Sequence, residues 1–129
     1  MTGQSILMVE DDELLSEVVA SLLELEGYRV TVAEDGAAGL KRVAQEQYDL
    51  ILLDLLMPQI DGVRFVRMMK DRIPNPPPVL VISASATGQV LEDITAEGVV
   101  GVMRKPVQPA LLLARVAEVL AGNGGGAAA

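Results

Sequence analysis

Five side chains, far apart in the chain, are of types that could do chemistry together: Glu10 and Asp11, then Asp54, Ser83 and Lys105. Each follows a short apolar run, so each stands where a buried segment opens to solvent. Three carboxylates brought close together repel, and one lysine cannot compensate them. A divalent cation resolves that repulsion. All-oxygen donors without His or Cys favour Mg²⁺ or Mn²⁺ over zinc, and such a site keeps positions open for phosphate oxygens. A carboxylate beside that metal, a lysine and a hydroxyl is suited to accept a phosphoryl group. Asp54 attacks in line, the metal and Lys105 neutralise the equatorial oxygens, and Ser83 donates to one of them. Taken singly, Asp54 could equally end a strand or cap a helix, and Asp11 or Asp12 could be an N-cap. The succession Glu10, Asp11, Asp12, Glu13 exceeds what a cap requires.

The elements that must hold these groups follow from periodicity. Residues 6–9, 50–53 and 79–82 are apolar without polar alternation, as strands buried on both faces of a parallel sheet are. Residues 28–33 form a more polar strand, expected near an edge, and 99–103 the last strand. Between them, Leu14, Val18 and Leu22 repeat at helical spacing, as do Leu15, Val19 and Leu23 one position on, giving a broad apolar arc expected to be mostly core. Gly27 ends that helix. Further helices are marked by Leu40 and Val43, by Val63, Val66 and Met69, more weakly by Val90, Leu91 and Ile94, and by Leu112, Val116 and Leu120 after Pro109. Arg64, Arg67 and Lys70 read as a solvated face. The connector at 73–78, with Pro74, Pro76, Pro77 and Pro78, cannot be helical.

Five strands alternating with five helices through short turns require parallel pairing and right-handed crossovers. The expected fold is a doubly wound α/β sandwich, sheet order 2-1-3-4-5, with ligands bound outside the carboxyl ends of the first and third strands. Those ends carry Glu10, Asp11 and Asp54.

Composition narrows the chemistry. The 129 residues make one domain, expected over 1–121, with a flexible Gly/Ala tail at 122–129. There is no Cys and no His, which excludes disulfides, thiolate sites, an imidazole base and a phosphohistidine on this chain. A net charge of -8 argues against direct nucleic-acid binding. No apolar run approaches the ~18 residues of a membrane helix, so a soluble, cytoplasmic chain without a membrane partner is expected.

At these residues the sequence resembles the receiver domain of bacterial two-component response regulators, of the single-domain CheY-like type. Glu10 and Asp11 stand for the family's acidic pair. Asp54, Met57, Pro58, Asp61 and Gly62 match its phosphorylated aspartate and the turn beyond. Ser83 and Ala84 occupy its switch position, and Lys105 and Pro106 its lysine and cis-proline. The resemblance implies phosphoryl transfer to Asp54 from a phosphohistidine on a partner kinase or phosphotransfer protein. Mg²⁺ would be held by Asp11, Asp54 and the Leu56 backbone carbonyl, with Glu10 acting through a metal-bound water. It implies slow self-dephosphorylation, no metabolic turnover, and an unnamed downstream protein whose binding is switched. Leu56 and Ser85 flank the path of attacking water, and an apolar Leu56 cannot orient it. The margin of the first helix, at Leu14, Leu15 and Val18, would dock a kinase's helices. One departure stands out: Val102 replaces the family's usual aromatic, which moves the expected output coupling to the fourth helix or the Ser83 loop.

Two other classes share parts of this pattern. A flavodoxin-like cofactor binder needs a Ser, Thr and Gly loop after the first strand, where Glu10 to Glu13 would repel a phosphate. An aspartyl-phosphate phosphatase resembles its relatives in an Asp-x-Asp start and a larger cap, both missing here. A degenerate receiver that only binds is disfavoured because each acceptor-site residue is present.

Overall fold

The computed structural model describes residues 3–84 and 87–124. Its elements run β1 (Ser5–Val9), α1 (Glu13–Leu25), β2 (Arg29–Ala33), α2 (Gly36–Gln45), β3 (Leu50–Asp54), α3 (Gly62–Arg72), β4 (Val79–Ser83), α4 (Gly88–Ala96), β5 (Gly101–Arg104) and α5 (Pro109–Gly124). The strands form one parallel sheet in the order β2-β1-β3-β4-β5, the arrangement read from the sequence.

Alternation along the central strands divides the core in two. Leu7, Val9, Ile51, Leu53, Val79 and Val81 point to one face, where Leu40, Val43, Phe65, Val66, Met69 and Ile94 of α2, α3 and α4 cover them. Ile6, Met8, Leu50, Leu52, Leu80 and Ile82 point to the other, under Val19 and Leu23 of α1 and Leu112, Val116 and Leu120 of α5. Both faces of β1, β3 and β4 are thus dry, which is why these strands carry no polar alternation. Their first polar residues come at the carboxyl ends.

Some boundaries differ from the sequence reading. β2 starts at Arg29, because the Tyr28 amide still donates to Leu23 O at 3.3 Å and closes α1. β5 starts at Gly101, although Val100 N already donates to Val79 O at 2.8 Å. α5 continues to Gly124, past the boundary read at 121, and residues 125–129 lie outside the described residues, as does Ser85.

The apolar arc of α1 is corrected as well. Its two rows lie about 100° apart on a helix, and the first is covered only toward its C-terminal end, where Leu22 is half-buried. Val19 and Leu23 are buried and Leu15 is half-buried, whereas Leu14 is 71% exposed and Val18 50%. Ser16 completes the covered face.

α4 is the least anchored helix. Ile94 is its one buried residue, and Thr87 at its N-cap makes no side-chain capping bond. Its C-terminal end is tied to α3: Arg67 Nε donates to Glu97 Oε2 at 2.8 Å, and Lys70 Nζ donates to the Glu97 backbone O at 3.0 Å. Two of the three cations read as a solvated face therefore hold a neighbouring helix. Glu97→Gln is expected to speed amide exchange across α4 while lowering global stability by no more than about 1 kcal/mol, the range of exposed ion pairs. Unchanged exchange in α4 would show that the tie does not restrain it.

Candidate functional site

The sheet register sets the rim. Val9 pairs with Leu53, which puts Glu10 and Asp54 level at the carboxyl ends of β1 and β3. Asp54 pairs with Ile82 and Ser83 with Arg104, so Ser83 stands one residue further out on β4 and Lys105 two residues further out past β5. Lys105 N donates to Ser83 O at 2.9 Å, fixing the turn that aims the lysine back over the sheet. The peptide after it, Lys105-Pro106, is cis.

These elements bring Glu10, Asp11, Asp54 and Lys105 together. Ligand oxygens of the three carboxylates all lie within 4.8 Å of one another. Lys105 Nζ is 3.2 Å from Glu10 Oε1 and 3.4 Å from Asp54 Oδ2. Glu10, Asp54 and Ser83 are buried and Asp11 is exposed, so the site is a floor of buried groups with one side open to solvent. Asp12 takes no direct part among the described contacts. Its carboxylate caps α1 by accepting from Leu15 N at 3.0 Å, and its amide donates to Glu10 Oε2 at 3.1 Å. The acidic run thus divides into two site residues, Glu10 and Asp11, one cap, Asp12, and Glu13 in the first turn of α1.

Electrostatics show what the cluster lacks. Burial pushes the Glu10 carboxyl up to about 7, the Asp54 charge adds to it, and the Asp12 amide and Lys105 only partly offset both. Burial acts to lower the Lys105 ammonium, yet the carboxylates of Asp54 and Glu10 outweigh it and hold the lysine above its ordinary value. Glu10 Oε1 is buried without a hydrogen bond of good direction, its near neighbour being the lysine charge alone. Three oxygen donors, one exposed, with an under-satisfied buried oxygen and a single cation, fit a hard divalent ion that keeps waters.

Two groups were not visible in the side-chain pattern. Leu56 N donates to Asp54 Oδ1 at 3.2 Å, and the Asp12 amide holds Glu10. Both are backbone donors, which any residue would supply, so no sequence signal marks them. Of the other tuning positions, Ala84 and Leu56 are exposed, Leu56 at 55%. Val102 is half-buried, pairs with Val81 and packs against the α3 and α4 side of the core. No helix among the described residues is long and apolar enough to cross a membrane.

Comparison with known proteins bears on the same site. The chain is 36% identical over 124 residues to the transcriptional regulatory protein CseB of Streptomyces coelicolor, covering 94% of this chain and 52% of that protein. It spans about half the length of the curated relatives it matches. A CheY-like response regulator receiver domain from Methanospirillum hungatei superposes with a TM-score of 0.90 at 25% identity, covering 95% of this chain and 98% of that one. The receiver domain of a sensor histidine kinase from Pseudomonas aeruginosa, solved with a magnesium ion coordinated in its active-site cleft, superposes at 0.83 with 28% identity, covering 92% and 98%. With the family model of the response regulator receiver domain matching residues 6–117, and the five-stranded parallel sheet in the order β2-β1-β3-β4-β5, this chain belongs to the receiver domain family of two-component signalling.

Proposed function

We propose that the chain is a phosphorylation-dependent switch whose acceptor is Asp54, loaded from a phosphohistidine on a partner kinase or phosphotransfer protein. The observation that carries this reading is Lys105 Nζ, poised 3.4 Å from Asp54 Oδ2 beside two further carboxylates. In the step, an Asp54 oxygen forms the new O–P bond as the donor's P–N bond breaks, and the imidazole leaves with its own electron pair. The Leu56 amide holds the other Asp54 oxygen and so orients the attacking one. Lys105 and the Ser83 hydroxyl meet the equatorial phosphoryl oxygens. Asp11, Asp54 and the Leu56 carbonyl would hold Mg²⁺, with Glu10 behind a metal-bound water. Such an ion, when bound, supplies positive charge to the phosphoryl oxygens.

The exposed Leu14 and Val18, in the first turns of α1 beside the acidic rim, suit docking of a donor's helices. The weakly capped N-terminus of α4, close after Ser83, suits output. In this reading the chain works as a cytoplasmic receiver domain, performs no metabolic turnover, and engages proteins in place of nucleic acid, in keeping with its net charge of -8. The test is intact mass after incubation with acetyl phosphate, with and without Mg²⁺. One phosphoryl group gained only with metal is expected. No gain from acetyl phosphate or from a phosphorylated phosphotransfer domain, with the fold intact, would overturn the reading.

A further inference from the structure

We infer that Gly36 and Ile60 form a positioning pair: the N-terminus of α2 is the backstop that holds the β3–α3 loop, and through it the Leu56 backbone, against Asp54. The inference rests on the acceptor reading above for its consequence, but its geometry is independent of any metal. A Cβ built on Gly36 would lie 2.9 Å from Ile60 Cβ, 3.0 Å from its Cγ2 and 3.0 Å from its carbonyl oxygen. Gly36 has no left-handed φ, and it opens a helix where alanine is ordinarily the better residue, so its own backbone gives no reason for glycine. The approach of Ile60 gives one.

The loop it meets is short and closed on itself. Gly62 N donates to Leu55 O at 3.0 Å, tying the start of α3 to the residue after Asp54. Ile60 N donates to Pro58 O at 2.8 Å across Gln59, whose φ is 68°. Residues 58–60 therefore move as one unit, joined through the fixed φ of Pro58 to Met57 and Leu56. Leu55 and Met57 are buried and anchor the inner side of the loop. Its outer end, at Ile60, rests on α2. A displacement there reaches the 56–58 backbone through the closed 58–60 turn. That backbone carries the amide bonded to Asp54 Oδ1.

Gly36→Ala pushes Ile60 outward, and Ile60→Ala removes most of the surface it leans on. Gly39→Ala is the control on the same helix, because its Cβ would meet Phe65 Cε1 at 2.8 Å and Val9 Cγ2 at 2.9 Å, inside the core and away from the loop. In metal-free protein, Leu56 amide exchange read by NMR is expected to quicken about tenfold in Gly36→Ala and in Ile60→Ala, the scale of losing a hydrogen bond to a charged acceptor. The Mg²⁺ dissociation constant from calorimetry is expected to rise several-fold in both. Gly39→Ala should lower the melting temperature with neither readout changed. If Leu56 exchange and Mg²⁺ affinity stay native in both Gly36→Ala and Ile60→Ala, or if all three variants shift them alike, the positioning role is overturned. A native chain that takes up no phosphoryl group would sink the acceptor reading and leave the Leu56 amide measurement to decide this one.

Discussion

Asp54→Asn is expected to take up no phosphoryl group under any donor, and to be more stable than the native chain in metal-free buffer near neutral pH. Asparagine keeps the shape and the Oδ1 acceptor that receives the Leu56 amide at 3.2 Å, so the fold around it need not move. It loses the anionic nucleophile. The stability gain follows from Glu10. Its carboxyl is raised from 4.5 to about 7, first by burial and then by the Asp54 charge. A carboxyl whose folded pKa is raised makes the folded state bind more protons than the unfolded one. Its contribution is therefore present in full below pH 4.5 and is lost as pH rises through about 7. At about 1.4 kcal/mol per unit, that loss is on the order of 3 kcal/mol in the native, metal-free chain. Asparagine removes the repulsive share and leaves the burial share, so the decline of stability with pH should be shallower. Melting curves in chelator between pH 5 and 8, with intact mass after acetyl phosphate treatment, check both halves. A phosphorylated Asp54→Asn chain would place the acceptor elsewhere, and an identical pH slope would show that Glu10 does not feel residue 54.

The layers of the fold were open to reading because the chemistry at the strand ends is so unlike the strands. Leu50 to Leu53 is fully apolar and then meets Asp54, and Val79 to Ile82 meets Ser83 in the same way. A strand covered on both faces leaves only its ends for polar groups, so the site residues announced themselves by position. The α1 surface was harder. Leu14, Val18 and Leu22 have the same spacing as Leu15, Val19 and Leu23, and periodicity alone cannot say which row the sheet covers. The Leu56 amide and the Gly36 contact were out of reach for a different reason. A backbone donor carries no residue identity, and the need for a missing Cβ depends on an isoleucine 24 positions away.

Lys105→Met separates the lysine's two tasks by moving them in opposite directions. Methionine keeps much of the aliphatic stem and removes the charge that sits 3.2 Å from Glu10 and 3.4 Å from Asp54. The acidic cluster then has no cation of its own among its described contacts. Mg²⁺ no longer competes with an ammonium, and Mg²⁺ affinity is expected to rise by about tenfold. Even a screened pair of unit charges at this distance is worth one to a few kcal/mol. Phosphoryl uptake should fall all the same, by about 100-fold, the loss typical of deleting one preorganised donor to a developing oxyanion. Without metal the variant should also melt lower, since Glu10 and Asp54 keep their burial and lose their counter-charge. A general disturbance of the fold would weaken metal binding and transfer together. Calorimetric Mg²⁺ titration beside the acetyl phosphate rate distinguishes the cases, and a variant that binds Mg²⁺ more weakly and reacts more slowly would mean that Lys105 acts by holding the site together instead of by meeting the phosphoryl oxygens.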